Sequence, residues 1–264
     1  MRTRLATALA VALVAACATS PLGRNQLILF PDEQLAQMGV TAWQQIKHET
    51  PVDQGRSVNR YVDCVALAVT RQLPGGGADA WEVSVFQGEE ANAFALPGRK
   101  IGVFEGLLDV ARNQDQLAAV IGHEVAHVES QHANERVSTA FAAETGLQLA
   151  QIAAGAPTPA RQQLFGLLGL GAQVGILLPF NRRQESEADL IGLDLMARAG
   201  FDPRASIELW KNMAAAADGA PPEFLSTHPS GERRIRDLTA RMPHAMQIYE
   251  QARAQGRSPQ CGAP

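Results

Sequence analysis

The apolar positions change their period several times along the chain, and each change marks an element. Residues 32–49 carry Leu35, Met38, Ala42 and Ile46 three or four apart behind the acidic Asp32 and Glu33. That spacing predicts a helix entered just after Pro31. The helical period continues from Ser57 to Leu73 and stops at Pro74 and a Gly75-Gly76-Gly77 turn. Trp81 to Gln87 alternates apolar and polar residues instead, which predicts a strand. Asn92 to Gly98 leads into Lys100 to Phe104 and reads as two short strands about a turn. Beyond Gln114 the helical period returns over Gln114–Ser138, Arg182–Ala199 and Pro203–Ala217, and a last helix, Glu232–Met242, is capped by Ser230. The order predicts a mostly helical α+β domain with a small sheet. No 20–50-residue repeat is present, which excludes a solenoid. Residues 140–180 hold only Glu144 and Arg161 as charges. They read as a buried helical hairpin or a packed loop, with a membrane- or substrate-contacting flap as the other reading, and are too short to span a bilayer.

Composition narrows the class. At 264 residues the chain can bury a full core, and 46% hydrophobic against 19% charged residues fits a globular protein. A net charge of −4 and 5% aromatics make nucleic acid a poor partner. The first residues are a separate matter. Arg2 and Arg4 precede an apolar run, Leu5 to Ala16, that is too short to span, and Val14-Ala15-Ala16-Cys17 resembles a lipobox. Residues 1–16 are therefore expected to be a signal peptide and 17–31 an extended tether lipidated at Cys17. By resemblance to lipoprotein sorting, Ala18 implies the outer membrane of a bacterial envelope. Removing the signal leaves 21 basic residues against 27 acidic ones, a net charge of −6. Of the two remaining cysteines, Cys64 lies in a predicted helix and Cys261 in a Gly/Pro-rich tail. In an exported protein such a pair is expected to be bridged.

His123-Glu124-Val125-Ala126-His127 carries the chemistry. On a helix the two histidines share one face a turn apart, so both imidazoles reach one ion, and Glu124 stands beside it to take a proton from water. At this composition the pattern is expected on the order of 0.01 times by chance. A catalytic zinc takes a third protein ligand and keeps one position open. Ala133 occupies the spacing at which a third histidine would follow, and His132 is rotated about 100° from it, which points to packing or support of a ligand. Glu185 and Asp189 lie at i and i+4, suiting a carboxylate ligand and a carboxylate that accepts the free N–H of a ligating histidine. Glu187 is about 200° round from Glu185 and reads as a solvated charge or the partner of a nearby arginine.

HEVAH followed by Glu185-x-x-Ala188-Asp189 resembles the gluzincin family of HtpX-like and CAAX-prenyl-protease-like zinc metallopeptidases, and among them the periplasmic lipoproteins. Asn92 to Gly98 with Ile101 to Leu108, and Thr227-His228-Pro229 with Arg234-Ile235, are similar to further motifs of the family, so the resemblance covers about residues 32–242. It implies a zincin-like fold, one zinc held by His123, His127 and Glu185, and peptide hydrolysis with Glu124 as general base. The implied partners are misfolded or misassembled envelope proteins. The family's helical-repeat domain and membrane spans are missing, which counts against chaperone-like and integral-membrane roles. The alternative is a non-proteolytic assembly factor that holds such clients on the same fold. Lys100–Phe104 is expected to be the sheet edge that receives an extended substrate. His228 has three readings: donor to the oxyanion, a zinc ligand that locks the resting enzyme, or a packing residue.

Overall fold

The computed structural model describes residues 17–74, 81–153, 180–216, 223–228 and 232–264. The expected signal peptide, the triple-glycine turn, most of the charge-poor segment and Ser230 lie outside the described residues. No described helix is long and apolar enough to cross a membrane. The elements, in chain order, are β1 (Cys17–Thr19), β2 (Asn25–Leu27), α1 (Asp32–Glu49), α2 (Arg56–Thr70), β3 (Glu82–Phe86), β4 (Ala93–Leu96), β5 (Lys100–Phe104) and α3 (Glu105–Val110). They continue as α4 (Gln114–Glu129), α5 (His132–Ala153), α6 (Arg182–Ala199), α7 (Ala205–Ala215), α8 (Glu223–Thr227) and α9 (Glu232–Ala254). This is the α+β, mostly helical zincin-like domain with a small sheet.

Local signals set several boundaries. Asn181 caps α6 through a reciprocal box with Gln184, and Gly200 closes it in the left-handed conformation at φ 91°. Asn113 caps α4 by accepting from the Gln116 N–H. α9 runs past Met242 through Pro243, because Leu238, Ala245 and Ala252 keep a buried stripe while Pro243 faces solvent. There the carbonyl that loses its partner can turn to water.

The expected edge strand is not an edge. β5 lies between β3, which it pairs in parallel, and β4, which it pairs antiparallel. Strand alternation does not encode strand order, so the outer strand beside the site is β4.

The expected tether is also corrected. Residues 17–27 form an antiparallel hairpin, with Cys17 opposite Leu27. The hairpin and the residues just after it dock on the α4–α5 turn and the start of α5, where Gln26 Nε2 donates to the Ser130 carbonyl (2.7 Å), the Leu29 N–H to Ser138 Oγ (2.8 Å) and Asn134 Nδ2 to the Phe30 carbonyl (2.8 Å). Each is a polar group that a free tether would leave to water.

The core joins Val62, Val65, Ala66 and Val69 of α2 to Ile101 and Val103 of β5, Leu117 and Ile121 of α4, and Leu193 and Met196 of α6. α4 is thereby buried along almost its whole length. A second cluster of Trp43, Phe86, Phe94 and Phe104 fixes α1 on the sheet.

Cys64 of α2 and Cys261 of the tail are joined by a disulfide, with Cα atoms 5.5 Å apart. Gln114, the first residue of α4, donates to the Pro259 carbonyl (3.0 Å) and accepts from the Cys261 N–H (2.9 Å). The bridge therefore straps the tail across the start of the HEVAH helix. A native disulfide typically contributes about 2–4 kcal/mol. Cys261→Ser should lower the melting temperature by roughly 5–15 °C, and reductant should lower the wild type to the same value. Thermal unfolding with and without reductant checks this, and a wild type indifferent to reductant would contradict it.

Candidate metal centre

α4 and α6 cross at two glycines. A Cβ on Gly192 would lie 2.7 Å from the His123 backbone nitrogen, and one on Gly122 would lie 2.8 Å from the Gly192 carbonyl oxygen. Only glycine permits this approach, which brings His123, Glu124 and His127 of α4 onto Glu185 and Asp189 of α6. All five are buried. His123 Nε2 and His127 Nε2 are 3.0 Å apart. Glu185 reaches both, at 3.5 Å from His123 Nε2 and 3.4 Å from His127 Nε2. His228, just beyond α8, stacks between Phe224 (4.5 Å) and Phe180 (5.0 Å). Its Nδ1 lies 3.1 Å from His123 Nε2 and 3.0 Å from Glu185 Oε1.

These four residues offer ligand atoms that all lie within 4.8 Å of one another. The separations just given run from 3.0 to 3.5 Å. A tetrahedral zinc with bonds of about 2.0–2.1 Å sets its ligand atoms about 3.3 Å apart. Glu185 Oε2 has no hydrogen-bond partner, although Arg234 Nη1 lies 2.9 Å away. The proximity lacks the alignment of a bond. Imidazole and carboxylate donors converging in a buried space fit zinc in number, type and spacing.

The electrostatics agree with a cage that calls for a cation. Burial pushes Glu185 up, but His123, His127 and His228 outweigh it and hold its carboxyl far below the carboxylate range. Burial lowers His123, yet Asp189 and Glu185 raise it to about 9. Burial drives His127 well below its ordinary value and raises Glu124.

Glu124 Oε2 accepts from the Ala95 N–H of β4 (3.3 Å), while Oε1 is buried without a hydrogen bond. The outer edge of β4 therefore faces the site. Asp189 Oδ1 stands 3.0 Å from His123 Nδ1. The opposite carboxylate oxygen, Oδ2, accepts from Arg234 Nε at 2.7 Å.

Two of the sequence readings change here. Glu187 is neither solvated nor merely an arginine's partner: it is buried against His132 as well as Arg24. Burial raises its carboxyl, but His132, Ser20 and Arg24 prevail and hold it at about 2. The helix read as continuous over Gln114–Ser138 breaks at Ser130, and Gln131 at φ 53° turns the chain so that His132 Nδ1 comes back to 2.8 Å from His127 Nδ1.

Arg234, read only as part of a motif, is a buried member of the site. It spans Asp189 and Glu185 and lies 3.6 Å over the Trp210 ring. Its spacing of six residues from His228 was the one available signal.

Residues 56–242 match Peptidase family M48. The chain belongs to peptidase family M48. Among its relatives, mitochondrial metalloendopeptidase OMA1 of Schizosaccharomyces pombe is 42% identical over 167 residues, covering 62% of this chain and 48% of that one. Human OMA1, also named mitochondrial, is 32% identical over 245 residues, covering 88% and 47%. The β-barrel assembly-enhancing protease of Escherichia coli is 27% identical over 215 residues, covering 79% and 44%. The chain thus spans about half the length of the curated relatives it matches. Family membership and the donor set agree on zinc as the metal of this centre. The expectation of an outer-membrane lipoprotein of a bacterial periplasm is overturned by the OMA1 relatives, which are mitochondrial from yeasts to mammals. A short basic and apolar leader ending in cysteine was too weak a signal to carry an address.

Proposed function

We propose that this M48 peptidase cleaves extended segments of misfolded or misassembled proteins, with Glu124 as general base and His123, His127 and Glu185 as the zinc ligands. The observation that carries the reading is Glu124 Oε1, buried beside the donor set, 3.3 Å from His228 Nε2 yet without an aligned hydrogen bond. Zinc, when bound, supplies Lewis acidity that polarises the scissile carbonyl and acidifies water. Glu124 takes the proton at Oε1 while the Ala95 N–H steadies Oε2, and later delivers it to the leaving amine. Asp189 keeps a proton on His123 Nδ1, which leaves the Nε2 lone pair facing the donor set. Arg234 holds Asp189 in turn.

A substrate strand beside β4 would gain main-chain hydrogen bonds at the edge that faces Glu124. The turn after β4 borders a cleft of about 400 Å³ lined by Leu35, Pro97 and Val128 together with Asp32, Arg99 and Glu129, with room for a substrate side chain. The name of the E. coli relative, an assembly-enhancing protease, supports a role toward proteins under assembly. Mapping cleavage of casein, and of one peptide in extended and in helix-stapled form, tests this. Cleavage confined to extended chains is expected, and efficient cleavage of the stapled helix would contradict it.

His228 Nδ1 supplies the fourth donor and gives the set the closure of a structural zinc site. Turnover needs an open position, so His228 restrains the resting enzyme. His228→Ala should raise basal casein cleavage roughly tenfold, about 1.4 kcal/mol or one good hydrogen bond. A tenfold fall would assign His228 to the transition state instead, and no change would leave only packing.

A further inference from the structure

His132 and Glu187 stand outside the donor set, and nothing in the hydrolysis above uses them. Both are buried. His127 directs Nε2 at His123 and Glu185, while its Nδ1 lies 2.8 Å from His132 Nδ1. Two imidazole nitrogens that close share one proton, so one ring donates and the other accepts. The far side of His132 decides which. Its Nε2 is 3.2 Å from Glu187 Oε2, and an ionised carboxylate can only accept. His132 therefore carries its proton on Nε2 and presents a lone pair at Nδ1. His127 must then carry its proton on Nδ1, which leaves its lone pair on Nε2, the atom among the metal donors.

Glu187 is itself held from the N-terminal hairpin. Its Oε1 accepts from Ser20 Oγ and from the Leu22 N–H (3.3 Å), and its Oε2 from Arg24 Nε (2.9 Å). Arg24 extends to Glu135, which also accepts from Gln184 Nε2 at 2.8 Å. A carboxylate with several donors stays put and ionised. Without it, His132 could present an N–H at Nδ1, and His127 would then turn an N–H toward the metal.

We propose that Glu187 and His132 are positioning residues that fix the tautomer and ring orientation of His127 for zinc, and that the β1–β2 hairpin is an integral part of the metal centre through its hold on Glu187. The relay is the carboxylate–histidine–zinc arrangement lengthened by one histidine. It rests on His127 being a zinc ligand.

The test is zinc affinity of the full chain, measured by competition with a zinc-binding dye. Wild type should bind one equivalent and Glu185→Ala should lose it. A failure there sinks the ligand assignment rather than the relay. Given that, Glu187→Gln and His132→Ala should each weaken zinc binding about 10- to 100-fold. The double variant should be no weaker than His132→Ala, because removing His132 already disconnects Glu187. The metal-free variants should melt within a few degrees of metal-free wild type. Nitrogen-15 shifts of the metal-free protein should show His127 protonated on Nδ1, and in Glu187→Gln the proton spread over both nitrogens. If either variant does not fold, Ser20→Ala, which removes one donor to Glu187 and leaves Arg24, decides the matter by a severalfold loss of affinity. Zinc affinity within twofold of wild type in the folded variants, additive losses in the double variant, or an unmoved His127 tautomer overturns the proposal.

Discussion

Glu124→Gln lowers kcat for casein cleavage by about 10²–10⁴-fold and leaves zinc at one per chain. The amide keeps the shape of the side chain and can still accept from the Ala95 N–H, so the contact with β4 survives. What it loses is the capacity of Oε1 to take a proton. Folding should not suffer, because a buried carboxylate becomes a neutral amide and burial already works against the charge. Steady-state kinetics with elemental analysis of the same preparation checks both halves. The variant also separates the enzyme from the assembly factor on the same fold. A protein that only holds clients needs no base, so its effect on them would be untouched by the substitution.

Gly192→Val is the second large effect, and it acts on the fold and the site together. The new Cβ would meet the His123 nitrogen at 2.7 Å and the Gly122 carbonyl carbon at 2.8 Å. Both are backbone atoms inside helices and cannot turn aside, so α4 and α6 must move apart. Overpacking of this kind costs about 1–3 kcal/mol or more, roughly 2–10 °C in melting temperature. The functional loss should be larger, because Glu185 rides on α6 and His123 and His127 on α4. A misplacement of about 1 Å is worth about 10²-fold in rate, and zinc affinity should fall with it. Calorimetry and zinc titration of the purified variant check this. Wild-type affinity and melting temperature would mean that the glycine crossing does not set the site.

What the sequence made legible was what depends on neighbours along the chain. HEVAH needs only helical spacing to join its histidines. Asn181 and Gly200 are local caps, so α6 is bounded as read. What it hid depends on partners far away. Glu187 does point away from Glu185, as its rotation requires, but the surface it points to is covered by Ser20 and Arg24, more than 160 residues earlier. No periodicity reports such a cover. The break before His132 rests on one residue, Gln131, in a conformation that side chains seldom adopt. It turns a histidine with the wrong spacing for a third ligand into the partner of the second. β5 reads correctly as a strand and wrongly as an edge, because alternation gives the faces of a strand and not its place in the sheet. Arg234 was hidden because an arginine in a polar helix resembles any solvated charge until Asp189, Glu185 and Trp210 are seen around it.

One zinc, held at His123, His127 and Glu185, is expected to work with Glu124 to hydrolyse peptide bonds. This is tested most directly by stripping the wild-type chain with a chelator and titrating zinc back while casein cleavage is followed. The metal-free chain should not cleave casein, recovery should rise to a plateau at one equivalent, and Glu185→Ala should not recover at the same zinc concentration. Cleavage by the metal-free chain, or full recovery in Glu185→Ala, would contradict it.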